Sequence, residues 1–388
     1  MKINDVKKIA VIGSGAMGNG IAQICATAGY SVFMTDVKQE YLDGATAKIR
    51  DSLAFMANKG KLAQGDIDTI LGSNLKTTLD TSVAVKDAQI IIEAVPEIMS
   101  LKKEVFSRLS DLAAPNAVLA TNTSTMSISE IGKVVKNPER FVGMHFFNPV
   151  TIMKLVEIIY GEKTSDATVD LIREVNTRCG KISVKVLKDR PGFIVNRISA
   201  PNQALLSAIL DEGKIRPAEI DCIMKTMGVK MAPFETADFV GLDVFSHTLE
   251  YYEKTLSPEY KPGKFLHEKI TSNNLGMKTG KGIYDWSSGK AVIDSSSESK
   301  ELTPIHFLSI QVNEAVKVYK EGLAQSVDEI DSAVKYGMNA FAGPFTMTSG
   351  MQAAQICDSL NYLVGRFGLS IFKPESEIID GSFKTLGK

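Results

Sequence analysis

The chain has 388 residues, more than one ordinary hydrophobic core accommodates, so two or three domains are expected. Its 44 basic and 45 acidic side chains leave a net charge of −1, which gives no reason to propose a nucleic acid or an anionic membrane as partner. Cys25, Cys179, Cys222 and Cys357 match no metal-ligand spacing and read as inert thiols of a reducing compartment; with no run of 18 apolar residues and no leader-like segment, a soluble cytoplasmic protein is expected.

Lys8-Ile9-Ala10-Val11-Ile12 is a short apolar run of the kind that forms a buried parallel strand. Gly13-Ser14-Gly15-Ala16-Met17-Gly18 follows at once, and then a helix-like segment over 19–28. In such a setting Gly13 permits the tight turn, Gly15 lets backbone approach a pyrophosphate and Gly18 lets the helix pack on the strand. The helix N-terminus offers free N–H groups, so Gly13, Gly15, Ala16, Met17 and Gly18 are the candidate phosphate cradle. The competing reading is a glycine turn with no ligand. It is disfavoured because Ser31-Val32-Phe33-Met34-Thr35 makes a second strand ending in Asp36, about 20 residues on, where an acid binds a ribose 2′-hydroxyl. A carboxylate repels a 2′-phosphate, so Asp36 favours NAD over NADP, with Lys38 as a counterweight.

Residues 40–71 read as a helical hairpin with Gly60 at its turn. Its Lys48, Lys59 and Lys61 either meet a phosphorylated ligand or form a solvated face. Strands are expected at 89–94, 118–121, 141–145 and 155–159, and helices at 101–112, capped by Ser100, and at 166–178. This alternation predicts an α/β doubly wound sheet over 1–188. After Arg190-Pro191-Gly192-Phe193 only helices are expected: 193–212, kinked by Pro201, then 217–227, 236–255 and 265–272. Lys278-Thr279-Gly280-Lys281-Gly282 has no strand before it and no helix after it, so it is not a Walker loop.

The serine-rich stretch 287–300, with Ser295-Ser296-Ser297, reads as a linker between an all-α domain over 189–286 and a second one over 301–388. The second repeats the first. Glu219-Ile220-Asp221 recurs as Glu329-Ile330-Asp331, Asp211-Glu212-Gly213 as Lys320-Glu321-Gly322, and Ala232-Pro233-Phe234 as Gly343-Pro344-Phe345. The offset stays at about 110 residues across the three landmarks. The second copy carries Ile305 where the first has Asn196, so it reads as structural.

The chemistry is concentrated in Gly143-Met144-His145-Phe146-Phe147-Asn148-Pro149, followed by Lys154-Leu155-Val156-Glu157. It sets one of only four histidines twelve residues from a carboxylate. A lone histidine is more often structural. Downstream of a dinucleotide fingerprint, a His–Glu pair is what a dehydrogenase needs to move a hydroxyl proton while a cofactor takes the hydride.

Taken together, these motifs make the chain resemble the L-3-hydroxyacyl-CoA dehydrogenase family. The resemblance also rests on Glu93-Ala94-Val95-Pro96-Glu97, Thr121-Asn122-Thr123-Ser124 and Pro191-Gly192-Phe193-Ile194-Val195-Asn196-Arg197. It covers about residues 5–286, with the last ninety as a second copy of the C-terminal domain. The resemblance implies a Rossmann-type domain followed by helical domains, NAD as cofactor, no metal, and an acyl-CoA with an S-configured 3-hydroxyl as substrate, 3-hydroxybutyryl-CoA above all. It implies His145 as general acid–base, with Glu157 orienting it and stabilising its charged form. Ser124 and Asn196 would bond the reacting oxygen or the thioester carbonyl, with Lys48 and Lys59 as further substrate-binding candidates. Asn148 and Lys278 would hold the nicotinamide end, and Glu97 and Lys102 the cofactor ribose and substrate. Without the resemblance, Ser124 reads as a helix cap, Asn148 as a turn residue and Asn196 as one more helix position. The duplication further implies an internal pseudo-dimer, as a monomer or a homodimer. Two rivals stand beside this reading: a dehydrogenase of a non-CoA hydroxy acid built around a catalytic lysine, and a non-catalytic NAD-binding protein.

Overall fold

Eight short, mostly apolar runs form one sheet in the computed structural model, which describes residues 1–226, 228–294 and 296–387. Met227, Ser295 and Lys388, at the ends or middle of segments delimited above, lie outside the described residues. The strands are β1 (Lys8–Ile12), β2 (Ser31–Thr35), β3 (Leu75–Thr78), β4 (Ile90–Glu93), β5 (Val118–Thr121), β6 (Phe141–Phe146), β7 (Leu155–Ile159) and β8 (Ile182–Val186). Their order is β3-β2-β1-β4-β5-β6-β7-β8. The first six are parallel in the Rossmann order, which reverses between β1 and β4; β7 runs antiparallel to β6 and parallel to β8. Every residue of β4, β5, β6 and β7 is buried, which is why these runs do not alternate apolar with polar.

The helices of this part are α1 (Ala16–Thr27), α2 (Gln39–Asn58), α3 (Gln64–Thr69), α4 (Thr81–Val85), α5 (Met99–Leu112), α6 (Ile128–Gly132) and α7 (Asp166–Arg178). The hairpin of α2 and α3 turns at Gly60, whose φ is +67°. Ser100 does not cap α5: the helix starts at Met99, two residues earlier than expected, with Ile98 as its N-cap and no side-chain cap bond. The thiols of Cys25 and Cys179, 154 positions apart, meet at 3.9 Å on the ends of α1 and α7.

Two compact units emerge, and their limits differ from the expected segments. The first is Met1–Ile194 with Gly322–Phe341, and the second is Val195–Glu321 with the chain from Ala342 onward. The second unit contains α8 (Val195–Glu212), α9 (Pro217–Thr226), α10 (Pro233–Val240), α11 (Leu242–Thr255), α12 (Lys264–Thr271) and α13 (Pro304–Lys320). Of the remaining helices, α14 (Val327–Gly337) belongs to the first unit; α15 (Pro344–Thr348), α16 (Ala353–Phe367) and α17 (Ser376–Ile379) belong to the second. The single helix expected over 236–255 is broken into α10 and α11 by Gly241 at φ +109°. α8 carries Pro201 inside and runs on to Glu212.

The series α8 to α12 has the same order and spacing as α13 to α17. Residues of both series share one hydrophobic core, in which Leu205, Ile209 and Leu249 meet Phe307, Val316 and Leu360. Charges also cross between the series: Arg197 bonds Glu314 at 2.5 Å and Glu321 at 3.0 Å, and Arg366 bonds Glu212 at 2.7 Å. α14 instead lies beside β7 and β8, and Leu187 N–H donates to Leu323 O at 2.8 Å. Within these units the last ninety residues thus pack in part on earlier helices and in part on the sheet.

Candidate active site

The glycine turn after β1 is closely packed at two of its three glycines. Gly13 adopts φ +98°, and a Cβ there would sit 2.7 Å from the carbonyl oxygen of Ala94. A Cβ on Gly18 would run into the Gly13 carbonyl, whereas nothing lies within 4 Å of one on Gly15. Two glycines are thus demanded by packing, and the third borders open space. Ala16 and Met17 form the first turn of α1, whose N-cap Gly15 offers no side chain to its N–H groups. Asp36, just past β2, is held by Ser14 N–H and Oγ, both 2.7 Å from Oδ2, and by Val37 N–H, 2.7 Å from Oδ1. Lys38 is turned toward Glu40 at 3.4 Å, so its charge is already opposed.

His145 and Glu157 are direct cross-strand partners in the antiparallel β6–β7 ladder. Register, not loop geometry, brings them together, and Nδ1 lies 2.8 Å from Oε2. The other oxygen, Oε1, accepts the Ile194 N–H at 3.1 Å. A carboxylate only accepts, so Nδ1 holds a proton and in the neutral ring Nε2 keeps a lone pair. His145 is 5 % exposed and Glu157 fully enclosed. The rings of Phe147 and Phe193 flank the imidazole at 4.5 and 5.8 Å between centroids.

A second constellation sits at the ends of β4 and β5. Glu97 Oε1 gathers Thr123 Oγ1 at 2.5 Å, Ser124 N–H at 2.8 Å and Thr125 N–H at 3.2 Å. Its Oε2 pairs with Lys102 Nζ at 3.2 Å. Burial raises the Glu97 carboxyl, but the Lys102 charge, the Thr123 hydroxyl and the Ser124 N–H outweigh it and hold the group below the usual carboxylate value. Lys102 is itself 1 % exposed and also donates to Glu93 at 2.7 Å and to Val95 O at 3.3 Å. Its ammonium therefore faces two carboxylates and a carbonyl. Glu93 was not singled out from the sequence as a site residue, although Ile90-Ile91-Ile92-Glu93 is a fully buried strand ending in a charge, which demands a partner. Thr121 and Asn122 were likewise missed: Thr121 Oγ1 donates to Glu93, and Asn122 Oδ1 accepts the Phe146 N–H beside His145.

The other candidates are placed separately. Asn148 is exposed just after β6, ahead of Pro149. Lys48 is exposed on α2, and Lys59 ends that helix above the Phe55 ring. Asn196 and Lys278 belong to the second unit. Asn196 lies in the first turn of α8, where its carbonyl accepts the Tyr252 hydroxyl at 3.4 Å. Lys278 pairs with Asp243 at 2.6 Å. The glycines around it answer to packing: a Cβ on Gly276 or Gly282 would strike Asp238, which holds Ile283 and Tyr284 N–H and the Trp286 indole. Among the described residues no cluster could hold a metal ion.

The family model for the 3-hydroxyacyl-CoA dehydrogenase NAD binding domain matches residues 8–190, and that for the family's C-terminal domain matches 192–286. The chain belongs to the 3-hydroxyacyl-CoA dehydrogenase family. It is an NAD-dependent oxidoreductase of that family. The probable 3-hydroxybutyryl-CoA dehydrogenase of Bacillus subtilis is 38% identical over 287 residues, covering 73% of this chain and 98% of the relative. The fatty acid oxidation complex subunit alpha of Idiomarina loihiensis is 34% identical over 357 residues, 86% of this chain and 49% of that one. In three dimensions the dehydrogenase is similar to a crystal structure of 3-hydroxybutyryl-CoA dehydrogenase from Escherichia coli K12, with a TM-score of 0.88, 25% identity and coverage of 97% of this chain and 98% of the other. The NAD-binding model of the 3-hydroxyacyl-CoA dehydrogenases spans His145, Glu157, Glu97 and Ser124, and the C-terminal model spans Asn196 and Lys278. No helix among the described residues is long and apolar enough to cross a membrane.

Proposed function

We propose that this dehydrogenase oxidises (S)-3-hydroxyacyl-CoA reversibly to 3-ketoacyl-CoA, with 3-hydroxybutyryl-CoA as its substrate and His145 and Glu157 as its acid–base pair. The observation that carries the reading is the enclosed 2.8 Å bond between His145 Nδ1 and Glu157 Oε2. With Nδ1 so engaged, Nε2 takes the 3-hydroxyl proton, and Glu157 stabilises the imidazolium that results. NAD⁺, held by Gly13, Gly15, Ala16, Met17, Gly18 and Asp36 with Glu97, Lys102, Asn148 and Lys278, supplies the hydride acceptor. Ser124 and Asn196 bond the reacting oxygen or the thioester carbonyl, and Lys48 and Lys59 meet the phosphates of CoA. The short acyl chain is supported by the names of the Bacillus and Escherichia relatives.

The same proposal covers the architecture: an NAD-binding domain over 1–188, a helical domain over 189–286, a linker over 287–300 and a second copy of the helical domain over 301–388. The second copy serves as an internal partner, supported by the repeated helix order, the shared core and the ion pairs of Arg197 and Arg366. The catalytic reading is tested by steady-state kinetics with C4, C8 and C16 3-ketoacyl-CoAs, with NADH and NADPH in parallel and with both isomers of 3-hydroxybutyryl-CoA. Turnover of the S isomer and of acetoacetyl-CoA with NADH is expected. Equal turnover of the R isomer, or reduction of free acetoacetate, would overturn it.

A further inference from the structure

The proposed dehydrogenase chemistry uses His145, Glu157 and Ser124, yet a further carboxylate as fully enclosed as Glu157 stands at the C-terminal edge of the parallel strands. Glu93 closes β4, beside the point where the strand order reverses, and is 0 % exposed. Its Oε1 accepts Val95 N–H and Lys102 Nζ, both at 2.7 Å, and its Oε2 accepts Thr121 Oγ1 at 2.6 Å. We propose that Glu93 is a positioning residue for the reaction: it fixes Lys102, and through Lys102 fixes Glu97 and the turn that carries Ser124.

The chain of contacts is continuous. Lys102 has three protons and three acceptors, namely Glu93, Glu97 and Val95 O. Glu97 in turn gathers donors from Thr123, Ser124 and Thr125 on a single oxygen. Glu97 is the outer carboxylate of the pair, with its side chain 36 % exposed, whereas Glu93 is sealed in. A lysine shared between an immovable carboxylate and a movable one holds the movable one in place. Remove the inner charge and Lys102 has only Glu97 for a counter-ion, so both are drawn outward and the 123–125 turn loses its anchor. A purely structural Glu93 would instead tie β4 to β5 through Thr121, a task a neutral amide of the same shape performs.

This inference rests on Ser124 contacting the substrate, and the test separates the two. Glu93→Gln keeps the shape and the scope for all three bonds while removing the charge. In the ligand-free protein, amide hydrogen exchange at Ser124 and Thr125 is expected to rise at least tenfold in Glu93→Gln, with Tm little changed. In steady-state assays with acetoacetyl-CoA and NADH, kcat/KM is expected to fall by roughly tenfold or more, because small displacements of a positioned group weigh heavily on rate. Lys102→Met is expected to produce a similar loss, and the double variant Glu93→Gln/Lys102→Met no more than Lys102→Met alone. Multiplying losses in the double variant would show that Glu93 acts independently of Lys102 and would overturn the proposal. Unchanged exchange at Ser124 and Thr125 would overturn it equally. A wild-type protein inert toward acyl-CoA would sink the substrate assignment, while the exchange measurement would still decide the role of Glu93.

Discussion

His145 and Glu157 stand twelve positions apart in the chain but opposite each other in a ladder, so their alignment is as firm as the sheet. His145→Gln is expected to lower kcat by roughly 10² to 10⁴, the range for losing a general acid–base group, with NADH affinity unchanged in a binding titration. Glu157→Gln should also slow turnover, since the imidazolium loses its counter-charge; near-normal kcat in either variant would remove the pair from the mechanism. Asp36→Ala should shift cofactor choice toward NADPH, read as the ratio of kcat/KM with the two coenzymes, by removing the repulsion of a 2′-phosphate. A wild type that already prefers NADPH would show that another base outweighs Asp36. The sequence reading picked out the pair because one of only four histidines is set among Phe, Asn and Pro with a glutamate twelve residues on, downstream of a dinucleotide fingerprint. It could not show that Lys102 faces inward, since a lysine on a helix reads as solvated until its carboxylate partners, nine and five positions back, are seen to converge on it.

Continuous apolar strand runs and helices with strong apolar periodicity were legible: β7 and α7 fall where their patterns place them. β3 was not, because Leu75-Lys76-Thr77-Thr78 has one buried residue in four and pairs only with β2 at the sheet edge. The break at Gly241 was also hidden, since a glycine inside an apolar helical pattern declares itself only through its positive φ. At this scale Asp221 gives a pH-dependent prediction. It leaves α9 to accept Phe234 and Glu235 N–H at the start of α10, together with the Tyr284 hydroxyl. Burial pushes its carboxyl up to about 6, against the hydrogen bonds from Phe234, Tyr284 and Glu235. An unfolded aspartic acid titrates near 4, so between about pH 4 and 6 the folded state binds the extra proton. The stability this contributes is complete below about pH 4 and is lost as pH rises through about 6. Asp221→Asn cannot titrate. The unfolding free energy of wild type minus that of Asp221→Asn, from urea melts, should therefore fall from pH 4 to 6 and then level off. A difference that rises over that interval would contradict the assignment.

For the whole molecule, the sequence suggests a period of about 110 residues, but not how the segments it relates would pack. A period says that two segments share a fold; it does not say that α14 of the second will lie on the sheet while α13 shares a core with α8. Deleting 301–388 removes the Phe307, Val316 and Leu360 side of that core and leaves Arg197 without Glu314. Insolubility or a new dimer is expected by light scattering, and a soluble, active monomer would show that the second copy covers nothing essential. The ion pairs between the two helix series differ on their two sides. Glu212 and Glu321 stand at the C-terminal ends of α8 and α13, and each reaches an arginine of the other helix series. The arginines do not match under the offset of about 110 residues: where the first series has Arg197 the second has His306, and where the second has Arg366 the first has Thr255. In a two-fold homodimer one substitution alters both halves of the contact, so a charge that suits one half is imposed on the other. Where both series lie in one chain, that constraint is absent. Each side of the contact can drift alone, and a polar residue such as Asn196 can be kept on one side while isoleucine takes the matching place on the other.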